Sequence, residues 1–534
     1  MKKTGSLFVG IMLVCAIVCV CISMFNFTQT GDAQKIPTTK YGAFLAAQHA
    51  IYSNDFEMAA KYSAMLSGKE SVSVKNVKVL ADFLSGKMPE DVSELSKASG
   101  TPSRLVYDAY LVEQGDWEKL YARHKNDDSA LVAPLRIISS VAINHRTEAI
   151  KFVNSLQTND SWKSFVRGQI YAETGNIEKA AAEFSNVRTE FMNINDYLYI
   201  MSFYRHNNLT ELADALMGDF TSRPGGLFML NFDNIPDWSV FSGPKNALAF
   251  SLIQNVSHTQ VMMFSDLSIL LLRFAQIIMP DDNNSDAVNY YIGQYFFNNN
   301  GDYEKYFAKI KSESPFYLFA MLRESEVSGD MHKLNRILRS YPLFVPAMNK
   351  LVAYNIAKGD KRSALRILNR AMNNDDLSDV SHAFLLKSRA QVYFAFGDLD
   401  KAQSDIHAAS DILTLDPEIL ALQAKIWAAQ NRNLDDAYEY AMTLVQHSPS
   451  DVFAWDVLGR VVAVREGVDA ALELIERVGE IAKECSSLFE GLGDLYVQIG
   501  NYTMARDAYM RAIDLSDDGL VVVPKIQNKV RKLK

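Results

Sequence analysis

Apolar and small residues recur along this chain with helical spacing, in short runs separated by turn signals. The stretch 486–515, SSLFEGLGDLYVQIGNYTMARDAYMRAIDL, shows the pattern best. Phe489, Leu492, Gly493 and Tyr496 have the i, i+3, i+4, i+7 spacing of one helix face. Ala505, Tyr509 and Ala512 fall at i, i+4, i+7 and mark a face of a second helix. Gly500-Asn501 between them is a turn signal. Gly493 and Ala505 carry almost no side chain, so the two helices can approach closely as an antiparallel pair.

The same unit recurs upstream. Ala47 and Ala50 precede the turn Asn54-Asp55-Phe56, and Ala59, Tyr62 and Leu66 follow it. A weaker copy spans 102–124 and turns at Gly115-Asp116-Trp117; another covers 132–156 with Ala149 at the close-packed place. Gly168, Tyr171, Gly175-Asn176, Ala180, Phe184 and Val187 repeat the spacing without a gap, and a degenerate copy lies near 197–216. In the C-terminal half, turns begin at Gly301, Gly329, Gly359, Gly397 and Asn433. Small residues at Ala364, Ala390, Ala402, Ala409, Ala437, Ala441, Gly459 and Ala471 flank those turns. The period is about 34 residues. One helix pair cannot cover its own apolar face, so neighbours must stack, and the pattern predicts an all-α solenoid.

These residues resemble the tetratricopeptide repeat. In that family small residues occupy positions 8, 20 and 27 of each unit, the places filled here by Gly493, Ala505 and Ala512. Gly168 and Ala180, Ala390 and Ala402, and Gly459 and Ala471 are the corresponding packing residues of three other units. The resemblance implies a right-handed α-solenoid whose first helices line a concave surface that binds proteins or peptides. By position, the inward residues are Phe384, Lys387, Gln391, Phe394, Phe453, Asp456, Arg460, Glu490 and Asp494. That lining departs from the Lys/Asn/Arg pattern with which some members clamp a terminal carboxylate. The order of parts is similar to exported repeat proteins of Alphaproteobacteria, which implies location and architecture more than mechanism.

The N-terminus supports export. Lys2 and Lys3 precede an uncharged run over 7–25, close to the roughly 20 residues a helix needs to cross a bilayer. Positive charge before the run keeps that end cytoplasmic. Segment 1–25 is a signal-anchor, or a signal peptide with Gly31-Asp32-Ala33 as its cleavage site, and the polar segment 26–40 is a linker. Divergent repeats then fill 41–222, an irregular loop or joint rich in Gly, Pro, Asn and Asp fills 223–242, and the more regular array fills 243–516. The apolar stretch near 266–279 contains Arg273 and is too short to span a membrane, so it is expected as a buried helix. The tail, 517–534, interleaves Lys525, Lys529, Arg531, Lys532 and Lys534 with Ile526, Val530 and Leu533. It predicts a basic amphipathic helix that caps the solenoid or touches anionic lipid or an acidic partner.

Composition narrows the function. The chain has 534 residues, 48% hydrophobic and 22% charged, and a net charge of −9, which makes nucleic acid a poor partner. Of its four cysteines only Cys485 lies outside the N-terminal run, so the body is not stapled by internal disulfides. No phosphate-cradling, zinc-protease or serine-hydrolase motif occurs, and the histidines show no ligand spacing. The expectation is a non-catalytic scaffold or adaptor of the bacterial cell envelope, with no cofactor or metal. Its body would be periplasmic, held by a single inner-membrane pass or released by cleavage, and its partners other proteins or peptides. A self-associating structural oligomer is the alternative; an enzyme with its site around 223–242 is a third possibility.

Overall fold

The computed structural model describes residues 39–533 apart from short interior stretches (67–70, 91, 93–94, 97–100, 130–131, 223–234, 259–265, 280–284, 375–376, 378, 415 and 482–484). The apolar N-terminal run, nearly all of the linker and most of the 223–242 joint lie outside the described residues. The chain divides into two compact units, Met1–Ser99 and Gly100–Lys534. The described residues contain helices, turns and no strand, so the fold is all-α. No described helix is long and apolar enough to cross a membrane.

In the first unit α1 (Lys40–Tyr52), α2 (Phe56–Ser63) and α3 (Val72–Leu84) pack on one another. Thr39 caps α1 by accepting from the Gly42 amide, and Asp55 caps α2 through the Met58 amide. Ala50, Ala59 and Ala81 form the small core where the three helices meet.

The second unit begins with α4 (Thr101–Gln114), α5 (Trp117–His124), α6 (Ala133–Ala142), α7 (Arg146–Ser155), α8 (Asp160–Glu173), α9 (Ile177–Phe184), α10 (Ile194–His206) and α11 (Thr210–Ser222). Then come α12 (Pro244–His258), α13 (Asp266–Ile278), α14 (Ser285–Asn298), α15 (Glu304–Phe307), α16 (Pro315–Ser328) and α17 (Met331–Ser340). The regular array follows: α18 (Val345–Lys358), α19 (Lys361–Met372), α20 (Asp379–Phe396), α21 (Leu399–Ser410), α22 (Pro417–Gln430) and α23 (Leu434–His447). It closes with α24 (Val452–Arg465), α25 (Val468–Ile481), α26 (Ser486–Gln498), α27 (Tyr502–Asp514) and the tail helix α28 (Val523–Lys532).

Helices pair consecutively, α18 with α19 through α26 with α27. The Gly-Asp/Asn turns explain the joints. Gly115, Gly175, Gly359 and Gly500 adopt φ of +72°, +72°, +82° and +76°, the left-handed conformation that ends a helix. The next residue, Asp116, Asn176, Asp360 or Asn501, caps the following helix with its side chain.

The close approach within a pair has a more specific cause than two small residues meeting. A Cβ on Gly168 would lie 2.4 Å from the Phe184 ring, one on Gly459 1.8 Å from Ile475 Cδ1, and one on Gly493 2.3 Å from the Tyr509 ring. Each glycine is a socket for a large side chain one turn beyond the pair's small residue (Ala180, Ala471, Ala505). Those alanines, with Ala390 and Ala402, are themselves fully buried.

The middle pair departs from simple stacking. α12 packs on α6 and α8, and α13 packs on α4, so this pair folds back onto the first helices of the preceding repeats. Polar links hold it there. Ser251 Oγ donates to Gln169 Oε1 at 3.1 Å, the Gly243 amide to Glu173 Oε2 at 2.9 Å, and Gln254 Nε2 to Asp196 Oδ1 at 2.8 Å. At the end of the joint, Trp238 and Phe241 are buried against Tyr199, with ring centroids 5.0 and 5.2 Å away. α13 is the buried apolar helix expected near 266–279, and Arg273 within it donates to the Tyr306 hydroxyl at 2.6 Å.

Candidate functional site: the inner groove of the regular array

Along the regular array each first helix touches the first helix of the next pair, α18 with α20, α20 with α22, α22 with α24 and α24 with α26. These helices share a cleft of about 440 Å³. Val352 and Ile356 of α18, Phe384 and Gln391 of α20, Leu422 of α22 and Phe453 of α24 line it. The wall is apolar and aromatic with a few polar groups at set places, the usual make-up of a recognition surface.

The structure distributes the sequence-derived inward residues into three groups. Phe384, Lys387, Gln391 and Phe453 meet at the cleft. Lys387 is buried, and its ammonium lies 4.4 Å from the Phe384 ring centroid, 2.8 Å from Glu418 Oε2 and 3.3 Å from Asp416 Oδ2. Asp416 also caps α22 through the Ile419 amide. Lys387 therefore bridges neighbouring repeats while its stem forms part of the cleft.

Asp456 and Arg460 belong to the second group, which lies beneath the surface. Asp456 is fully buried. Lys425 Nζ donates to its Oδ2 at 2.9 Å, Arg460 Nε to its Oδ1 at 2.8 Å and Ser487 Oγ to its Oδ2 at 2.6 Å. Burial alone would push the Asp456 carboxyl up, but the opposed charges of Arg460 and Lys425 and the Ser487 hydroxyl hold it down at about 2. Arg460 also donates to the Ser487 carbonyl. The cluster bolts α22, α24 and α26 together, so the Asp456 carboxylate is committed to the fold rather than offered to a ligand. Lys425 ties this bolt to the aromatic wall, 4.9 Å from the Phe453 centroid and 5.7 Å from that of Phe394.

Glu490 and Asp494 on α26 form the third group, and the chain's own tail engages both. Lys529 Nζ lies 2.9 Å from Glu490 Oε1 and 2.7 Å from Asp494 Oδ1, and Tyr509 donates to Asp494 Oδ1 at 2.6 Å. The Lys529 ammonium would lose protons more readily through burial, but the two carboxylates outweigh that and raise its pKa.

Sequence reasoning did not single out Lys425, Ser487 or Asp416. Lys425 was findable, since it shares the inward stripe of α22 with Glu418 and Leu422 at helical spacing. Asp518 stands out in sequence as half of the double acid Asp517-Asp518 beside a helix end, but the sequence does not say which helix it caps. Its carboxylate accepts from the Ser486 amide at 2.8 Å and the Ser486 hydroxyl at 2.6 Å, capping α26 from a remote segment. Cys485, at the N-terminus of α26, makes no side-chain cap of its own; burial pushes its thiol up to about 11, which suits packing rather than nucleophilic chemistry.

A second hollow of about 860 Å³ lies in the earlier repeats, between Trp162, Phe165, Phe191 and His258. Of its two carboxylates, Asp196 accepts from Gln254 and is paired with His258 Nε2 at 2.6 Å, and Asp128 is paired with Arg136 at 2.7 Å.

No curated protein matches this sequence. The family model described as "Tetratricopeptide repeat" matches residues 487–518. Among solved structures, the chain is similar to a tetratricopeptide repeat protein from Parabacteroides merdae ATCC 43184, at 11% identity over 54% of this chain and 98% of that one, TM-score 0.31. It is also similar to yeast Tom70, at 12% identity over 92% and 97%, TM-score 0.32. A third is the Cut9–Hcn1 hetero-tetramer of APC/C, at 12% identity over 91% and 96%, TM-score 0.31. Residues 487–518 thus match the tetratricopeptide repeat, and other helix pairs of this chain carry the same glycine turns, caps and glycine–ring sockets.

Proposed function

We propose that this protein is a non-catalytic protein-interaction scaffold of the bacterial cell envelope, and that it holds peptide segments of other proteins in the inner groove of its regular array. The observation that carries the reading is the cleft where α18, α20, α22 and α24 converge, with Phe384 and Phe453 as apolar anchors and Gln391 as a polar one. A few such anchors supply most of the affinity of an interface. The envelope location rests on Lys2, Lys3 and the apolar run over 7–25. Retention of that run would hold the groove near the membrane, and cleavage would free it in the periplasm.

The test is site-specific photocrosslinking in membranes, with the reactive side chain in place of Gln391 in the cleft or of Met510, an exposed residue of α27. The scaffold reading expects a defined heterologous product from position 391 that is absent at 510. Crosslinks between two copies of this chain, and to no other protein, would establish the self-associating oligomer instead. Products equal at both positions would end the groove reading.

A further inference from the structure

The groove already holds a peptide, the chain's own C-terminus. After α27 the chain does not stop at the end of the array. It returns across the inner face, where the 516–518 turn and α28 both pack on α18. Gly519 sits so close that a Cβ there would lie 2.4 Å from Ala353 Cβ and 2.5 Å from Ala353 Cα. Pro524 lies against Gly359 at the end of α18, Lys525 Nζ donates to the Ala395 carbonyl of α20 at 2.7 Å, and Lys529 reaches Glu490 and Asp494 on α26. The tail thus touches first helices of three separate repeats, as a bound peptide does.

α28 itself is held more lightly than the array helices. Ile526 is its fully buried side chain, with Val521 and Val522 buried just ahead of it and α27 packed alongside, whereas α26 buries Leu488, Phe489, Leu492, Leu495 and Tyr496. A helix of ten residues has little stability of its own in water. The segment is also opposite in charge to its seat. VPKIQNKVRK contains four basic residues and no acid, in a chain of net charge −9.

We propose that residues 519–533 are an exchangeable intramolecular ligand, and that the groove's partners are basic amphipathic helical segments of other proteins that displace it. The recognised pattern is an apolar residue buried as Ile526 is, with lysines one turn apart that engage the α20 carbonyl end and the Glu490–Asp494 pair. This rests on the reading of the groove as a partner surface and adds the chemistry of the partner and the gate that controls access. A tethered tail competes at high effective concentration, so a partner must outbind it or meet the groove while α28 is detached.

The probe is a fluorescent peptide of sequence 516–534, added to full-length protein. In the native chain the tail blocks the site. In the doubly substituted chain Ile526→Asp/Lys529→Glu the tail is released, and the peptide should bind at least tenfold more tightly. Adding Glu490→Gln and Asp494→Asn to that chain should abolish the gain, as should Lys→Glu at both lysines of the peptide. Equal binding by native and released chains, or no binding by a released chain whose unfolding transition matches the parent, would overturn the proposal. Hydrogen exchange on the native chain supplies a second measurement that needs no variant. Amides of α28 should exchange at least tenfold faster than those of α26, and faster again with excess peptide. Protection of α28 equal to that of α26 would show the tail to be a permanent part of the core. Peptide binding without any heterologous crosslink at position 391 would instead leave this gate standing and remove the scaffold reading.

Discussion

Gly493→Ala sets two effects of opposite sign against each other, and the structure decides between them. Helix propensity alone favours alanine over glycine in a helix interior by about 1 kcal/mol. Packing opposes it. The new Cβ would lie 2.3 Å from Tyr509 Cε1, 2.4 Å from Cδ1 and 2.9 Å from Cζ. The ring would have to retreat by on the order of 1 Å to reach ordinary van der Waals separation. It has nowhere to go, because Tyr509 is buried and its hydroxyl is tied to Asp494 at 2.6 Å. Overpacking costs about 1–3 kcal/mol, and loosening a hydrogen bond to a carboxylate adds about 1.5–3 kcal/mol. The net expectation is a loss of about 1.5–5 kcal/mol after the propensity gain is set against it. Gly459→Ala makes an informative partner. Its Cβ would lie 1.8 Å from Ile475 Cδ1 and 2.3 Å from Cγ1, and Ile475 is buried, so strain is expected here too, but no hydrogen bond is loosened. The net change should be a loss of no more than about 2 kcal/mol, smaller than that at Gly493. The assay is urea unfolding followed by far-UV circular dichroism, with Gly493→Ala repeated in a Tyr509→Leu background, where its cost should vanish. A Gly493→Ala protein as stable as the parent, or one whose loss persists without the tyrosine ring, would refute the socket.

Three further expectations follow from buried charge and the tail. Asp456→Asn leaves Lys425 and Arg460 without their carboxylate and should cost roughly 3–5 kcal/mol in thermal or urea unfolding. Because the Asp456 pKa is lowered from 3.8 to about 2, its stabilisation is present above pH 4 and lost as pH falls toward 2; the asparagine variant should lack that acid-limb loss, and an identical acid limb would refute the assignment. Glu173 has the opposite sign: burial, opposed only in part by the Gly243 amide, raises its pKa from 4.5 to about 7, and its Oε1 has no hydrogen-bond partner among the described residues. The folded state therefore keeps the proton, and stability should fall by up to roughly 3 kcal/mol as pH rises from 4.5 to 7; Glu173→Gln should flatten that part of the stability–pH profile, and an unchanged slope would count against it. Gly519→Ala puts a side chain into Ala353 at a φ of +71°, so it should detach the tail while the array stays folded. The readout is faster proteolysis beyond residue 518 with an unchanged main unfolding transition, and unchanged proteolysis would show that the close contact does not hold the tail.

The array was legible because its signals are local. Gly359 and Asp360 end one helix and start the next by their own backbone and side-chain chemistry, and the spacing of Ala364, Leu368 and Ala371 makes one buried stripe. The socket was half legible. Gly493 announces a close approach, but which side chain fills the space depends on the angle between the helices, and Tyr509 rather than Ala505 fills it. The inward face was legible as a stripe and not as a surface. Asp456 and Gln391 both lie on first helices, yet Asp456 is fully buried under an ion pair from Lys425 of the preceding repeat, one from Arg460 of its own helix and a hydrogen bond from Ser487 of the next, while Gln391 lines the open cleft. Periodicity assigns a residue to a side of its own helix and says nothing about what comes to cover it.

By itself, the sequence determined the helices, their pairing, the turn chemistry and the stacking of repeats, because each rests on contacts between residues near one another in the chain. Tertiary structure alone decided where the two long returns of the chain go. α12 and α13 fold back on α4, α6 and α8, and the basic tail crosses from α27 to α18 and α20. An amphipathic pattern such as that of 517–534 is satisfied equally by the end of a solenoid, a membrane surface or an acidic groove. The choice falls to whichever surface offers a fitting apolar seat and opposite charge together, and here Glu490, Asp494 and the carbonyl end of α20 supply them only once the array has curved to bring them to the same side.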